Sequence, residues 1–203
     1  MDGYNQWHSK HPEFRETCEE YYQAMVDLSR VLLSAFSSYL GFSLSQAFED
    51  HSSYQRINFY PPCPNAADTL SVNRHTDAGG LTILLQDQGI TSLQVRQGEE
   101  WVSIPPHPTA LTINIGDMMQ VWSNNVFVAP EHRVLSQRHK ERLSAPFFFN
   151  PDYQAEVKPI VTGPDGAKAL YKPFKWGDFR WRRFKGDYAD EGEEIQIAHF
   201  KLG

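Results

Sequence analysis

From Glu13 to Leu40, apolar residues recur at steps of three and four, at Phe14, Cys18, Tyr21, Met25, Leu28, Leu32, Ala35, Phe36 and Tyr39. That spacing lines one face of a 3.6-residue helix and predicts a long amphipathic helix. Gly41 follows where a left-handed C-terminal cap belongs, and "SLSQAFED" has room for one more short helical turn. After Tyr54 the pattern changes to short runs rich in β-branched and aromatic residues, broken by Pro, Gly, Asn and Asp. "YQRINFY", "LTILLQ", "SLQVRQ", "EWVSIP", "ALTINIGD", "MMQVWS", "HRVLSQ" and "RLSAPFFFN" each read as a strand. So many short strands predict a mainly β fold, a sandwich, barrel or jelly roll. Prolines in "YPPCPNAAD" and "IPPHPTA" mark loops, because proline cannot donate to a sheet ladder. From "YKPFKWGDFRWRRFKGDYADEGEE" onward the mixed, aromatic pattern predicts one or two short helices packed on the β unit. The changes of texture divide the chain into an N-terminal helical segment (1–50), a β core (51–155) and a C-terminal extension (156–203).

Composition narrows the class of ligand. At 203 residues the chain is long enough for one well-buried core and does not require a second. Its formal charge of -6 argues against nucleic acid and anionic membrane surfaces, which attract basic faces, so a small-molecule substrate is expected. The "RWRR" run is short and offset by "DYADEGEE", so it reads as a solvated helix face. Only Cys18 and Cys63 are present, which suits a reducing compartment, although one bridge between them stays open. The opening residues "MDGYNQWHSKHPEF" lack the apolar core of a signal peptide, and no later run has the length of a membrane span. The expected location is cytoplasmic.

The chemistry concentrates in "SVNRHTDAGGLTILLQD". His75 and Asp77 stand two apart, the period of an extended strand, so both side chains point to one side. His132 in "APEHRVLSQ" is the strongest candidate to join them, because two imidazoles and one carboxylate form the facial triad that holds Fe(II) with open positions. Antiparallel strands can bring such distant segments side by side. Ten positions after His132 comes "RLS", which places Arg142 and Ser144 on one strand face. An Arg fork and a hydroxyl can together receive a carboxylate. Asn58 and Tyr60 alternate onto one face in the same way, and the Tyr60 phenol could donate to the same acid. These pieces suggest an anionic cosubstrate bound beside iron. Gly79 and Gly80 lack a phosphate-binding pattern and read as a close turn near the metal. His107, His139 and His199 read as ordinary surface histidines.

Taken together, "NFYPPCP", "HTDAGGLTILLQD", "HRV" and "RLSAPFFFNP" resemble the iron(II)- and 2-oxoglutarate-dependent oxygenases of the isopenicillin N synthase and plant flavonoid-oxygenase type. The resemblance runs over about residues 10–200. It implies a double-stranded β-helix, or jelly roll, between the N-terminal helix and the C-terminal helical segment. His75, Asp77 and His132 are then the iron ligands. Arg142 and Ser144, assisted by Tyr60, are the anchor for the far carboxylate of 2-oxoglutarate, with Asn58 and Phe148 near cosubstrate and substrate. The implied activity is dioxygen-dependent hydroxylation or desaturation of a small organic molecule, with release of succinate and CO2. Two other readings stay open: an oxidase like isopenicillin N synthase that dispenses with 2-oxoglutarate, and a shortened non-catalytic module that binds iron or 2-oxoglutarate. Members of the family usually carry a further segment before the helix that begins this chain. Its absence predicts an open pocket that a partner or a dimer would complete.

Overall fold

A computed structural model of the chain describes residues 5–160, 168–189 and 195–203, with residues 186–189 described for their backbone. Helix α1 (Pro12–Leu40) begins on a proline whose missing N–H has no helical partner to lose. It ends at Gly41, whose φ of 75° is the left-handed cap that the sequence predicts. Met25, Val26 and Leu33 carry the buried part of its face. Phe14 and Tyr39 lie largely exposed, so the apolar stripe is packed only over the middle turns. A 3-10 turn (Ser45–Phe48) follows and stacks Phe48 on Phe149, with ring centroids 4.6 Å apart.

Nine strands make the body: β1 (Tyr54–Gln55), β2 (Asn58–Tyr60), β3 (Leu70–His75), β4 (Leu81–Gln86), β5 (Leu93–Gln97), β6 (Glu100–Ile104), β7 (Thr112–Ile115), β8 (His132–Leu135) and β9 (Arg142–Phe149). One sheet runs β1-β9-β4-β7, with β2 also paired to β9, and the facing sheet runs β3-β8-β5-β6. Every pairing is antiparallel, and the chain crosses repeatedly from one sheet to the other. That arrangement is a double-stranded β-helix. Period-two alternation sorts β9: Phe147 and Phe149 are fully buried toward α1 and Phe48, while Arg142, Ser144 and Phe148 face the space between the sheets. In β4, Leu81 and Ile83 belong to the first layer, and Thr82 and Leu84 to the second.

One expected strand is a helix. "MMQVWS" forms α2 (Asp117–Trp122), in which Met118, Met119, Val121 and Trp122 are all buried. A short segment that is apolar on every side gives no periodicity by which to tell helix from strand. Beyond β9, a small ribbon pairs β10 (Glu156–Val157) with β11 (Phe174–Lys175). It leads into α3 (Trp176–Ala189), and a further 3-10 turn follows at Ile197–Phe200. Within the "RWRR" stretch Trp181 and Arg182 are exposed, but Arg183 is 5% exposed, so the expected solvated face does not include it. The acidic residues at 190, 191, 193 and 194 lie outside the described residues. Both cysteines are free thiols. Among the described residues no helix is long and apolar enough to cross a membrane.

Candidate metal centre

Strands β3 and β8 pair with His75 directly opposite His132, and the two imidazole centroids are 4.3 Å apart. Asp77 does not belong to β3, which ends at His75. It sits in the turn that follows, and its Oδ1 lies 3.6 Å from Nε2 of both histidines. Each imidazole directs Nδ1 at a backbone carbonyl, His75 at Asn73 (2.8 Å) and His132 at Pro130 (3.1 Å). With Nδ1–H donated there, both Nε2 lone pairs point to the same spot as the carboxylate. The three ligand atoms lie within 4.8 Å of one another, a donor set that fits Fe(II) and leaves coordination positions free.

Asp77 is held from behind as well. Its Oδ2 accepts from the Thr82 hydroxyl at 2.6 Å and from the Asn114 amide at 2.8 Å, which fixes the carboxylate plane and leaves Oδ1 for a metal. Thr82 and Asn114 were not singled out from the sequence. The available signal was a polar residue at an inward position of an otherwise apolar strand, "LTILLQ" and "LTINIG". The turn itself depends on glycine. A Cβ on Gly79 would overlap the Asn150 side chain, one on Gly80 would overlap the Phe48 ring, and one on Gly116 would overlap the carbonyl of Gly79. The reason for Gly79 and Gly80 is thus the approach of β9 and the Phe48 turn, and the metal itself does not require them.

Electrostatics follow the geometry. Burial works to raise the Asp77 pKa, but the facing His75 and His132 and the bonds from Thr82 and Asn114 outweigh it, and the carboxyl titrates well below the usual range. For His75 burial works downward, yet Asp77 prevails and the net shift is upward. In the metal-free protein, His75 therefore adds stability below its unfolded pKa of about 6.5, lost as pH rises through the raised folded value. Asp77 adds stability above its unfolded value of about 4, lost as pH falls through the depressed one. The pair stabilises the metal-free fold most fully between about pH 4 and 6.5. A metal must displace the His75 proton, so the rise in Tm on adding Fe(II) anaerobically is expected to grow from pH 5.5 to 7.5. A rise in Tm that does not change across this range would contradict proton–metal competition at His75.

Across the cavity, β2 and β9 pair Asn58 with Ser144 and Tyr60 with Arg142. Arg142 is 2% exposed, and its guanidinium carbon lies 5.1 Å from the centroid of the Tyr60 ring. Its Nη2 donates to Gln86 Oε1 at 3.0 Å, and Gln86 in turn donates through Nε2 to the Thr112 hydroxyl on β7 at 3.0 Å. Nε and Nη1 of Arg142 are buried and have no hydrogen-bond partner among the described residues. Burial pushes the pKa of this guanidinium down, against the opposing influence of Tyr60 and Asp87. A buried fork with two free donors is the shape and charge that a carboxylate satisfies. Gln86, which orients the fork, is a further residue that sequence reasoning missed.

The histidines, Asp77, Arg142, Ser144, Tyr60, Asn58 and Phe148 all line one cavity of about 880 Å³. Phe148 stacks on Tyr54, with ring centroids 4.9 Å apart. The rest of the wall is mainly apolar, with Ile57, Phe59, Leu70 and Ile113 exposed. Residues 51–151 match the sequence profile of the 2OG-Fe(II) oxygenase superfamily. Jasmonate-induced oxygenase 2 of Arabidopsis thaliana is 38% identical over 79% of this chain and 44% of its own length. Codeine O-demethylase of Papaver somniferum is 36% identical over 81% of this chain and 47% of its own. A crystal structure of JOX2 in complex with 2OG, Fe and JA superimposes with a TM-score of 0.81 at 36% identity, covering 86% of this chain and 54% of that one. The chain spans about half the length of the curated relatives it matches.

Proposed function

Because this chain belongs to the 2OG-Fe(II) oxygenase superfamily, we propose that it is an Fe(II)- and 2-oxoglutarate-dependent dioxygenase that hydroxylates or desaturates a small organic molecule. The observation that carries the reading is the pairing, in one cavity, of a His–Asp–His cluster with a buried arginine whose free donors await a carboxylate. When bound, iron and 2-oxoglutarate supply the oxidising power: dioxygen is consumed, and 2-oxoglutarate loses CO2 to leave succinate. The protein supplies arrangement. His75, Asp77 and His132 hold the metal, and Thr82 and Asn114 keep Asp77 turned toward it. Arg142, Ser144 and Tyr60 take the far carboxylate of 2-oxoglutarate, with Gln86 fixing the guanidinium plane. Asn58 and Phe148 lie beside the space left for cosubstrate and substrate.

The apolar wall suits a substrate that is mostly hydrocarbon. Arg56 lines the same cavity, exposed at its rim, and forms no ion pair with an acid among the described residues. An anionic group on the substrate would be received there. A partner surface, including a second copy, seated on the exposed rim would exclude water and position the target C–H bond. Free thiols at Cys18 and Cys63 suit a reducing, cytoplasmic setting in which Fe(II) persists.

The test is to load the protein anaerobically with Fe(II), add 2-oxoglutarate, dioxygen and a panel of small organic molecules, and measure succinate and oxidised product together. Succinate that rises in step with product supports the dioxygenase. Product without succinate would replace it by a 2-oxoglutarate-independent oxidase, and stabilisation by Fe(II) or 2-oxoglutarate without any turnover would leave a binding module.

A further inference from the structure

Behind the metal turn, on the side away from the cavity, lies a buried ion pair that neither sheet requires. Arg183 of α3 is 5% exposed and Asp117 at the start of α2 is 1% exposed, with Nη1 and Oδ2 3.7 Å apart. The same guanidinium donates through Nη2 to the carbonyl of Thr76, the residue between His75 and Asp77, at 3.3 Å. Through Nη1 it donates to Gln196 Oε1 at 2.8 Å and to the carbonyl of Ile195 at 3.4 Å. Asp117 grips the turn independently, since its backbone N–H donates to the Asp77 carbonyl at 2.8 Å. The next two contacts continue the seam: Met118 N–H donates to Gly79 (3.0 Å), and Gly116 N–H to Gly80 (2.8 Å). The amides that open α2, which have no partner inside a helix, are thereby spent on the carbonyls of the metal turn.

We propose that Arg183 and Asp117 are positioning residues for the iron site: through their side chains they clamp the peptide between His75 and Asp77 from behind, and so set how tightly and in what geometry the cluster holds its metal. The inference rests on the reading of His75, Asp77 and His132 as metal ligands. A buried charge is an expensive way to join two helices, and an apolar pair of equal volume would do so as well or better. What the apolar pair cannot do is hold the Thr76 carbonyl. Asp77 reaches its place two residues beyond the end of β3, where no ladder bond fixes it, so its position depends on contacts of this kind.

The experiment compares Arg183→Lys, Arg183→Met, Asp117→Asn and the double variant Asp117→Leu with Arg183→Met. Fe(II) and Co(II) affinities are measured without 2-oxoglutarate, together with the Co(II) absorption spectrum and the Tm of the metal-free protein. The single Arg183→Met variant is expected to lose metal affinity by about 10- to 100-fold, as do changes in groups that orient metal ligands, and to lose Tm. The double variant removes both charges of the pair together, so its Tm should recover while its metal affinity stays weak and its Co(II) spectrum stays altered. Arg183→Lys keeps the cation and should regain part of the affinity. Phe179→Ala, in the same helix but packed on Trp176 and Phe200, serves as the control for a loosened α3. Recovery of metal affinity along with Tm in the double variant, or an equal loss of affinity in Phe179→Ala, would make the pair a stability element only and overturn the proposal. If the unmodified protein itself binds neither metal, the assignment of the cluster falls first and the clamp with it.

Discussion

Replacing Arg142 by Gln is expected to weaken 2-oxoglutarate binding by two to three orders of magnitude while raising the Tm of the ligand-free protein. The first effect follows from charge. Arg142 presents two buried donors with no partner among the described residues, and leaving a buried carboxylate without its cation costs about 3–5 kcal/mol, at least about 10² in affinity. The second effect has the opposite sign for the same reason. Without ligand, the free protein keeps a buried guanidinium whose Nε and Nη1 have no hydrogen-bond partner among the described residues, and a neutral amide removes that burden. Stability is held down here by the demands of binding, as at many functional sites. The measurement is a pair of thermal melts, with and without 2-oxoglutarate: the parent should be stabilised by the ligand and the variant should not. A ligand response as large in the variant as in the parent would remove Arg142 from the anchor.

Asp77→Ala is expected to lower Fe(II) affinity by at least about two orders of magnitude, with the jelly roll still folded. It deletes the sole anion of the cluster, and a buried charge pairing of about 3–5 kcal/mol goes with it. The fold should survive, because the loss of an acceptor for Thr82 and Asn114 costs about 1–3 kcal/mol each and is partly offset by removing a fully buried carboxylate. Asp77→Asn separates the two contributions. It keeps an acceptor for Thr82 but not the charge, so its metal affinity should stay close to that of the alanine variant while its Tm stays closer to the parent's. Metal binding and near-ultraviolet dichroism check both, and tight Fe(II) binding by either variant would show that the ion is held elsewhere.

The donor groups were legible because each carries its chemistry in its own side chain and because strands have a fixed period. Arg142 and Ser144 face one way in β9 as period two requires, and His132 meets His75 across a ladder. Asp77 was found by the same rule although the rule does not apply to it, since the strand stops at His75 and the turn happens to return the carboxylate to the same side. The residues that hold these groups in place were not legible. Thr82, Asn114 and Gln86 matter only through partners elsewhere, the turn carboxylate of Asp77 for the first two and Thr112 and Arg142 for the third, and their sequence trace, a polar residue at an inward position, does not say which partner it serves. Arg183 was misread because three of its neighbours in "RWRR" are cationic or aromatic and exposed or half-exposed, while burial of the fourth is decided by where α3 lies against the metal turn. In α2 a run of large apolar residues hid a helix start whose purpose is to satisfy the carbonyls of residues 77, 79 and 80.

The cluster and the arginine fork define one site only if metal and cosubstrate bind there together. An anaerobic titration tests this: Fe(II) is added to the metal-free protein, then 2-oxoglutarate, and the visible absorption is followed. One equivalent of Fe(II) should bind, and 2-oxoglutarate should then produce a charge-transfer band that is absent with either ligand alone, that saturates at one equivalent and that needs both Asp77 and Arg142. Binding of 2-oxoglutarate with the same affinity whether or not Fe(II) is present, and without such a band, would contradict the account.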